Sequence, residues 1–145
     1  MAARIARFNK VSFDQFMKDW CDTFNLVSTD PNVRKDIESI YGGIELPTRA
    51  TAGSAGYDFC SPLTFSLEPG ETIKIPTGVR CEMNKGWVLM VFPRSGLGFK
   101  YRLQLDNTVG IIDEDYYYSD NEGHIFIKIT NDSKEDKIAE VLRGK

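Results

Sequence analysis

Residues 124–130 read HIFIKIT and place Ile125, Ile127 and Ile129 at every second position. Successive side chains of a β-strand point to opposite faces, so these three isoleucines share one face. A slip of one residue in the pairing would expose all three, and the pattern therefore also fixes the register. The segment predicts a β-strand with one buried face.

Similar short runs recur along the chain after Gly43 and are separated by turn-forming residues such as Glu68-Pro69-Gly70 and Asn84-Lys85-Gly86. We expect strands at 73–75, 79–83, 87–92, 103–105, 109–112 and 139–142 in addition to 125–130. Many short strands with close turns are typical of a sandwich, a jelly roll or a barrel. The predicted fold class is mainly β.

The segment before Gly43 has a helical pattern instead. Apolar residues recur with helical spacing over 12–24 and again over 31–41, with Ser12 and Asp30 as the expected N-caps. These two apolar stripes either pack against the body of the protein or form an arm that contacts a partner or another subunit. We therefore divide the chain into an N-terminal helical extension, residues 1–43, and a β-domain, residues 44–145.

Composition excludes several function classes. Lys and Arg number 18 and Asp and Glu 21, giving a formal charge of -3, which argues against a nucleic-acid binder. His124 is the single histidine, so one chain cannot build a multi-histidine metal site. The three cysteines are scattered and no apolar run reaches the roughly 18 residues of a membrane helix. These features predict a soluble cytoplasmic protein with reduced thiols and no membrane partner.

Three segments carry residues suited to chemistry. Residues 55–59 (AGYDF) hold an acid after a flexible stretch, and residues 93–98 (PRSGLG) combine an Arg, a hydroxyl and two glycines that let a backbone approach phosphate oxygens. Residues 107–116 (NTVGIIDEDY) set acids beside a predicted strand end, where a carboxylate can become a general base. Each segment taken alone is also compatible with an ordinary turn.

Together and in this order, the three segments closely resemble the motifs of the trimeric dUTP pyrophosphatase (dUTPase) family. The resemblance runs from about Ile44 to the C-terminus. It implies a jelly-roll-like, distorted β-barrel domain that forms a homotrimer with its active sites between subunits. The implied reaction is the hydrolysis of dUTP to dUMP and pyrophosphate, with Mg²⁺ as cofactor.

The resemblance also implies the catalytic and phosphate-binding residues. Asp113 would hold and activate the attacking water, and Asp58 would support the water shell of a Mg²⁺ carried by the triphosphate, without a direct protein ligand. Ser95 and Gly96 would contact the phosphates, while Arg94 would fix the site or a closing tail. This set agrees with the needs of phosphoanhydride cleavage, namely an in-line water, a base and positive charge.

The nucleoside would be read by the third segment. Asn107 and the backbone around Gly110 and Ile112 would recognise the edge of uracil, because a fixed pattern of N–H and C=O groups rejects cytosine. Tyr116 would pack under the deoxyribose and exclude a 2′-hydroxyl.

The sequence departs from the family pattern in two places. Six residues separate Tyr116 from Gly123, a longer hairpin that is similar to a subgroup from Gram-positive bacteria and their phages. Residues 139–142 fit the strand that precedes the family's fourth motif, and 143–145 fit its opening. On this interpretation the chain is truncated before the fourth and fifth motifs, and its activity is expected to be impaired.

Two rival functions stay open. The chain could be a catalytically weak nucleotide-binding or regulatory module that meets a protein partner through its N-terminal helices. It could also be a dCTP deaminase, which shares the β-fold and would release ammonia from dCTP. The pattern of residues 107–116 favours the diphosphatase.

Overall fold

The computed structural model describes residues 3–145. Both predicted N-terminal helices are present, α1 (Phe13–Phe24) and α2 (Pro31–Gly42). The Ser12 hydroxyl accepts the N–H of Gln15 at 3.2 Å, and the Asp30 carboxylate accepts the N–H of Asn32 at 2.8 Å. The two helices therefore begin at the predicted caps, where side-chain oxygens satisfy N–H groups that lack a partner inside the helix.

Most of the remaining elements are short strands, as the sequence predicts. The strands are β1 (Ala6–Lys10), β2 (Phe65–Leu67), β3 (Thr72–Pro76), β4 (Val79–Met83), β5 (Leu89–Val91), β6 (Leu103–Leu105), β7 (Gly110–Ile112), β8 (Phe126–Asn131) and β9 (Ala139–Val141). A third helix, α3 (Ser95–Tyr101), and a 3₁₀ turn (Tyr116–Tyr118) complete the order. The mainly β fold class is confirmed.

Strand β8 occupies the centre of a three-stranded antiparallel sheet of order β3-β8-β6. Ile75 lies opposite Ile127, and Leu105 lies opposite Ile129. Ile125 and Ile129 are buried while Lys128 is exposed, so the alternation read from residues 124–130 is confirmed. The other strands pair antiparallel as β1-β4, β2-β9 and β5-β7.

Three elements were not predicted, and one strand is shorter than predicted. Strands β1 and β2 were not expected, and residues 95–101 form a helix where a turn was read. Glycines at 96 and 98 lower helix propensity, so no pattern marked α3 in advance. The run over 87–92 forms a strand only at Leu89–Val91.

Two apolar clusters form the core. The first joins the helices to the β-region and contains Val11, Phe16, Met17, Trp20, Cys21, Ile37, Ile44 and Val79. The second lies between strands and contains Leu67, Leu103, Leu105, Ile129 and Ala139. The buried members of both helical stripes thus pack against the body of the protein, which was the first of the two interpretations. The domain boundary at residue 43 stays a prediction, and β1 shares a sheet with β4.

Across residues 3–145, none of the helices combines the length and the apolar character required to cross a membrane.

Candidate functional site

The first two sequence motifs meet in space. A bridge between Thr48 and Asp58 fixes the first motif, with the Asp58 N–H donating to the Thr48 carbonyl at 2.8 Å. The Arg94 Nε lies 3.7 Å from the Asp58 Oδ1. The side chains of Asp58 and Arg94 are 38% and 63% exposed, so both can still reach a ligand.

Arg94 is the N-cap residue of α3, and its carbonyl accepts the N–H of Gly98 at 2.9 Å. Ser95 and Gly96 follow it and are exposed. A cavity of about 640 Å³ lies beside these three residues and is lined mainly by apolar side chains, including Phe59. Residues of the third motif do not line this cavity. We therefore do not assign this cavity to the binding of a nucleobase.

The third motif begins with a tight turn between β6 and β7. Thr108 has a φ of 70°, and its N–H donates to the Leu105 carbonyl at 3.0 Å. Asn107, Gly110 and Ile112 line one small cleft of about 60 Å³. The structure thus brings together the three residues predicted to read uracil.

A close approach between strands favours glycine at position 110. A Cβ at Gly110 would lie 3.0 Å from the Cβ of Val91 on the neighbouring strand, tighter than ordinary van der Waals contact. Val91 is also its partner in the β5-β7 ladder. The absence of a side chain therefore lets β5 support the cleft from behind.

The acids after β7 have different roles. Glu114 is partly buried and its carboxylate accepts the N–H of Gly86 in the preceding turn. Asp113 and Asp115 are exposed. Because Glu114 is occupied in binding the protein backbone, Asp113 is the first carboxylate of this segment that is open to a substrate.

Tyr116 is half-buried and its hydroxyl has two partners. The hydroxyl donates to the carbonyl oxygen of His124 at 2.6 Å and accepts from the Asn121 side-chain amide at 3.0 Å. With both bonds made, the phenol is held in one orientation.

The site residues form two groups, one in residues 107–116 and one made of Asp58, Arg94, Ser95 and Gly96. Asp113 and Arg94, one from each group, lie at opposite ends of the β5-β7 ladder, whereas Gly110 lies at the Arg94 end. Leu89 is opposite Ile112 and Val91 is opposite Gly110, so Asp113 lies level with Val88. Arg94 follows Val91 at the other end. The separation along the strand is up to about 20 Å, at roughly 3.3 Å per residue. Within residues 3–145, no hydrogen bond or ion pair joins the two groups.

Sequence reasoning missed the residues that hold the longer hairpin. Glu122 accepts the Ser12 N–H at 2.8 Å and the Ser12 hydroxyl at 2.6 Å. Burial alone would raise the pKa of Glu122, but these bonds outweigh it and hold the pKa below its ordinary value. Arg80 stacks on the Tyr117 ring at 3.6 Å and donates to its carbonyl at 2.7 Å. Partners more than 100 positions apart, like Ser12 and Glu122, leave no local signal.

The single histidine, His124, is fully buried, and both of its ring nitrogens have hydrogen-bond partners. Its Nδ1 lies 2.5 Å from Asp19 Oδ2, and its Nε2 accepts the N–H of Gly78 at 2.8 Å. Burial lowers the pKa of His124, although Asp19 acts in the opposite direction.

Comparison with known proteins gives a consistent result. The sequence model of the dUTPase family matches residues 43–141. The deoxyuridine 5′-triphosphate nucleotidohydrolase of Lactococcus lactis is 46% identical over 99 residues, which cover 68% of this chain and 66% of that protein. The chain thus spans slightly less than two thirds of this relative's length.

Solved structures agree with the sequence match. The dUTPase of Streptococcus mutans has a TM-score of 0.60 and 40% identity, covering 69% of this chain and 77% of that one. A mutant dUTPase of phage phi11 of S. aureus, described for its coordination of a structural Mg(II) ion, has a TM-score of 0.57 and 25% identity. That match covers 71% of this chain and 78% of the phage chain. The neighbours thus include the Gram-positive and phage proteins that the longer hairpin suggested.

Proposed function

The chain belongs to the dUTPase family, and from this membership we propose that it hydrolyses dUTP to dUMP and pyrophosphate. The observation that carries the proposal is the arrangement of residues 107–116. Asn107, Gly110 and Ile112 line one cleft, and Asp113 and Tyr116 follow on the same segment. A base-reading turn, a free carboxylate and a fixed aromatic ring are the parts that a deoxynucleotide site needs.

Asp113 is proposed to hold the attacking water. It is exposed, whereas its neighbour Glu114 is bound to the backbone of Gly86. An ionised carboxylate can orient a water molecule and accept its proton as the water attacks a phosphorus atom.

The base and the sugar are proposed to be read by fixed groups. The backbone of residues 107–112 is proposed to offer N–H and C=O groups to the edge of uracil, and a base whose edge does not match would leave some of them unpaired. The hydroxyl of Tyr116 is occupied by its two protein partners, so its ring is what a deoxyribose would contact. A 2′-hydroxyl would then collide with a ring that cannot turn away.

The triphosphate is proposed to lie against the first two motifs. Arg94 offers a guanidinium and Ser95 a hydroxyl, and both are exposed. Within the described part of the chain, no three His, Cys, Asp or Glu side chains group as a protein metal site would. A Mg²⁺ would therefore be held mainly by phosphates and water, with the accessible Asp58 carboxylate accepting hydrogen bonds from that water. When bound, the ion supplies positive charge to the phosphate oxygens.

The homotrimer that the family resemblance implies is the proposed assembly, and the separation of Asp113 from Arg94 by up to about 20 Å along the β5-β7 ladder supports it. The outer face of the β5-β7 pair supports this. Val88, Met90, Phe92 and Ile111 lie there with exposed fractions of 47–60%. An apolar patch of this kind is typical of a protein interface. A second copy would cover it and supply the missing half of each site.

We propose a cytoplasmic location, in keeping with the free thiols of Cys21, Cys60 and Cys81. The comparisons do not favour the regulatory module over the enzyme, and the matched family is the diphosphatase rather than the deaminase. A protein partner at the N-terminal helices stays a proposal. Because the apolar stripes of those helices are buried in the core, such a partner would meet mostly polar faces.

The test is pyrophosphate release from dUTP with Mg²⁺, with dCTP and dTTP as competing substrates. Asp113→Asn removes the proposed base, and we expect kcat to fall by at least about 100-fold. Asp120→Asn is the matched control, since it makes the same change at another exposed acid. Release that is not selective for dUTP, or that survives Asp113→Asn, would overturn the proposal.

A further inference from the structure

The histidine at the start of β8 has a single tautomer available. A backbone N–H can only donate, so the Nε2 of His124 that accepts from Gly78 must be unprotonated. The proton is then on Nδ1 and is donated to Asp19 Oδ2 at 2.5 Å. The same oxygen accepts the Gln15 side-chain amide at 2.9 Å, which orients the carboxylate. The imidazole is thereby fixed between α1 and the β3-β4 turn.

His124 cannot act on a substrate itself. Its side chain has no exposed surface, and that of Asp19 is only 10% exposed. Both ring nitrogens are used within the protein. A buried, fully bonded polar pair of this kind specifies one local conformation.

The Asp19–His124 pair restrains Tyr116 through the backbone of residue 124. The backbone carbonyl of His124 is the acceptor of the Tyr116 hydroxyl at 2.6 Å. The chain between these residues is tied to the N-terminal segment a second time, through Glu122 and Ser12. Helix α1 and its cap therefore help to position the carbonyl of residue 124, whose peptide unit is also held by the Ile125 N–H donating to the Val79 carbonyl at 2.9 Å. This carbonyl in turn orients the ring of Tyr116.

We propose that the Asp19–His124 pair is a positioning element that sets discrimination between deoxyribonucleotides and ribonucleotides, acting through the hydroxyl of Tyr116. The inference rests on the proposed function, because it assigns Tyr116 to the sugar. It extends the site to helix α1, which lies outside the range matched by the family model.

The quantity to measure is the ratio of kcat/KM for dUTP to kcat/KM for UTP. Asp19→Ala leaves the Nδ1 proton without its acceptor, and we expect the ratio to fall about three- to tenfold, the equivalent of one hydrogen bond. Asp19→Asn keeps an acceptor oxygen and should restore most of the ratio. Asp22→Ala is the matched control, because it removes a carboxylate that is 67% exposed from the same helix. It should change the ratio by less than about twofold.

A double-mutant cycle separates positioning from general destabilisation. Tyr116→Phe keeps the ring but lacks the hydroxyl, so Asp19→Ala should change the ratio by less than about twofold in that background. The same fall in both backgrounds, or an unchanged ratio in folded Asp19→Ala, would overturn the proposal. Should Asp19→Ala not fold, Gln15→Ala gives a milder version, since it removes only the amide that orients Asp19.

Hydrogen exchange in peptides covering 116–124 tests, without any substrate, whether the Asp19–His124 pair restrains the segment that carries Tyr116. Exchange should become faster in Asp19→Ala and stay unchanged in Asp22→Ala, whereas equal exchange in the two variants would overturn the proposal. If wild-type protein releases no pyrophosphate from dUTP, the proposed function fails, and this exchange measurement still decides whether the Asp19–His124 pair holds the Tyr116 segment.

Discussion

Gly123 joins the longer hairpin to β8 at a position where no other residue fits. Its φ is 70°, and a Cβ there would lie 2.6 Å from the Cα of Tyr117 and 2.7 Å from the carbonyl oxygen of Tyr116. Both contacts are with backbone atoms, which cannot move aside by a rotamer change. Gly123→Ala should therefore displace the 3₁₀ turn that carries Tyr116.

The expected loss has two parts. A left-handed conformation costs a non-glycine residue about 1–2 kcal/mol. Overpacking against rigid neighbours adds about 1–3 kcal/mol. We therefore expect Gly123→Ala to reduce the free energy of unfolding by about 2–5 kcal/mol, a large share of the usual total of about 5–15 kcal/mol.

Gly70→Ala is the matched control, because Gly70 has a φ of 88° and no atom within 4 Å of the added Cβ. It should lose only the conformational part, so the two variants should differ by about 2 kcal/mol. Urea unfolding at one protein concentration measures both, since assembly makes apparent stability depend on concentration. An equal loss in the two variants would refute the assigned backbone clash.

Two further results are expected. The free energy of unfolding should fall as pH drops from about 6.5 to 5.5. Burial keeps the pKa of His124 below its ordinary value, even with the carboxylates of Asp19 and Glu122 nearby, so the histidine is protonated more readily in the unfolded chain. A free energy of unfolding that does not change with pH, measured by urea unfolding, would contradict this. Ser12→Ala removes both the helix cap and one bond to Glu122, and should cost about 1–2 kcal/mol. A loss no greater than that of Ser133→Ala, where Ser133 lies outside the helices, would contradict the double role.

The strand pattern was predictable wherever local periodicity carries the information. The runs at 79–83 and 103–105 match their strands, β4 and β6, residue for residue. Helices α1 and α2 were predictable from their caps and apolar stripes. Strand β1 was not, because its position depends on pairing with β4, more than 60 residues away in sequence. Pairing over such a distance leaves no mark in a single segment.

The candidate site was predictable only where its residues are close together in the sequence. Residues 107–116 are contiguous, so their chemistry could be read from the sequence, and Asn107, Gly110 and Ile112 do share a cleft. The role of Asp19 and the contact of Ser12 with Glu122 could not be predicted, since each depends on a partner more than 100 positions away. A lone histidine in a sequence also does not reveal that it will be buried.

The distance between Asp113 and Arg94 along the β5-β7 ladder has a genetic consequence. If each site takes one half from each of two chains, as proposed, chains defective at Asp113 and chains defective at Arg94 would complement one another although both come from the same gene. Random mixing of two such inactive chains in equal amounts would give about one quarter of the sites two intact halves. A cell that carries both defective alleles would then keep part of the activity that a cell with either allele alone lacks.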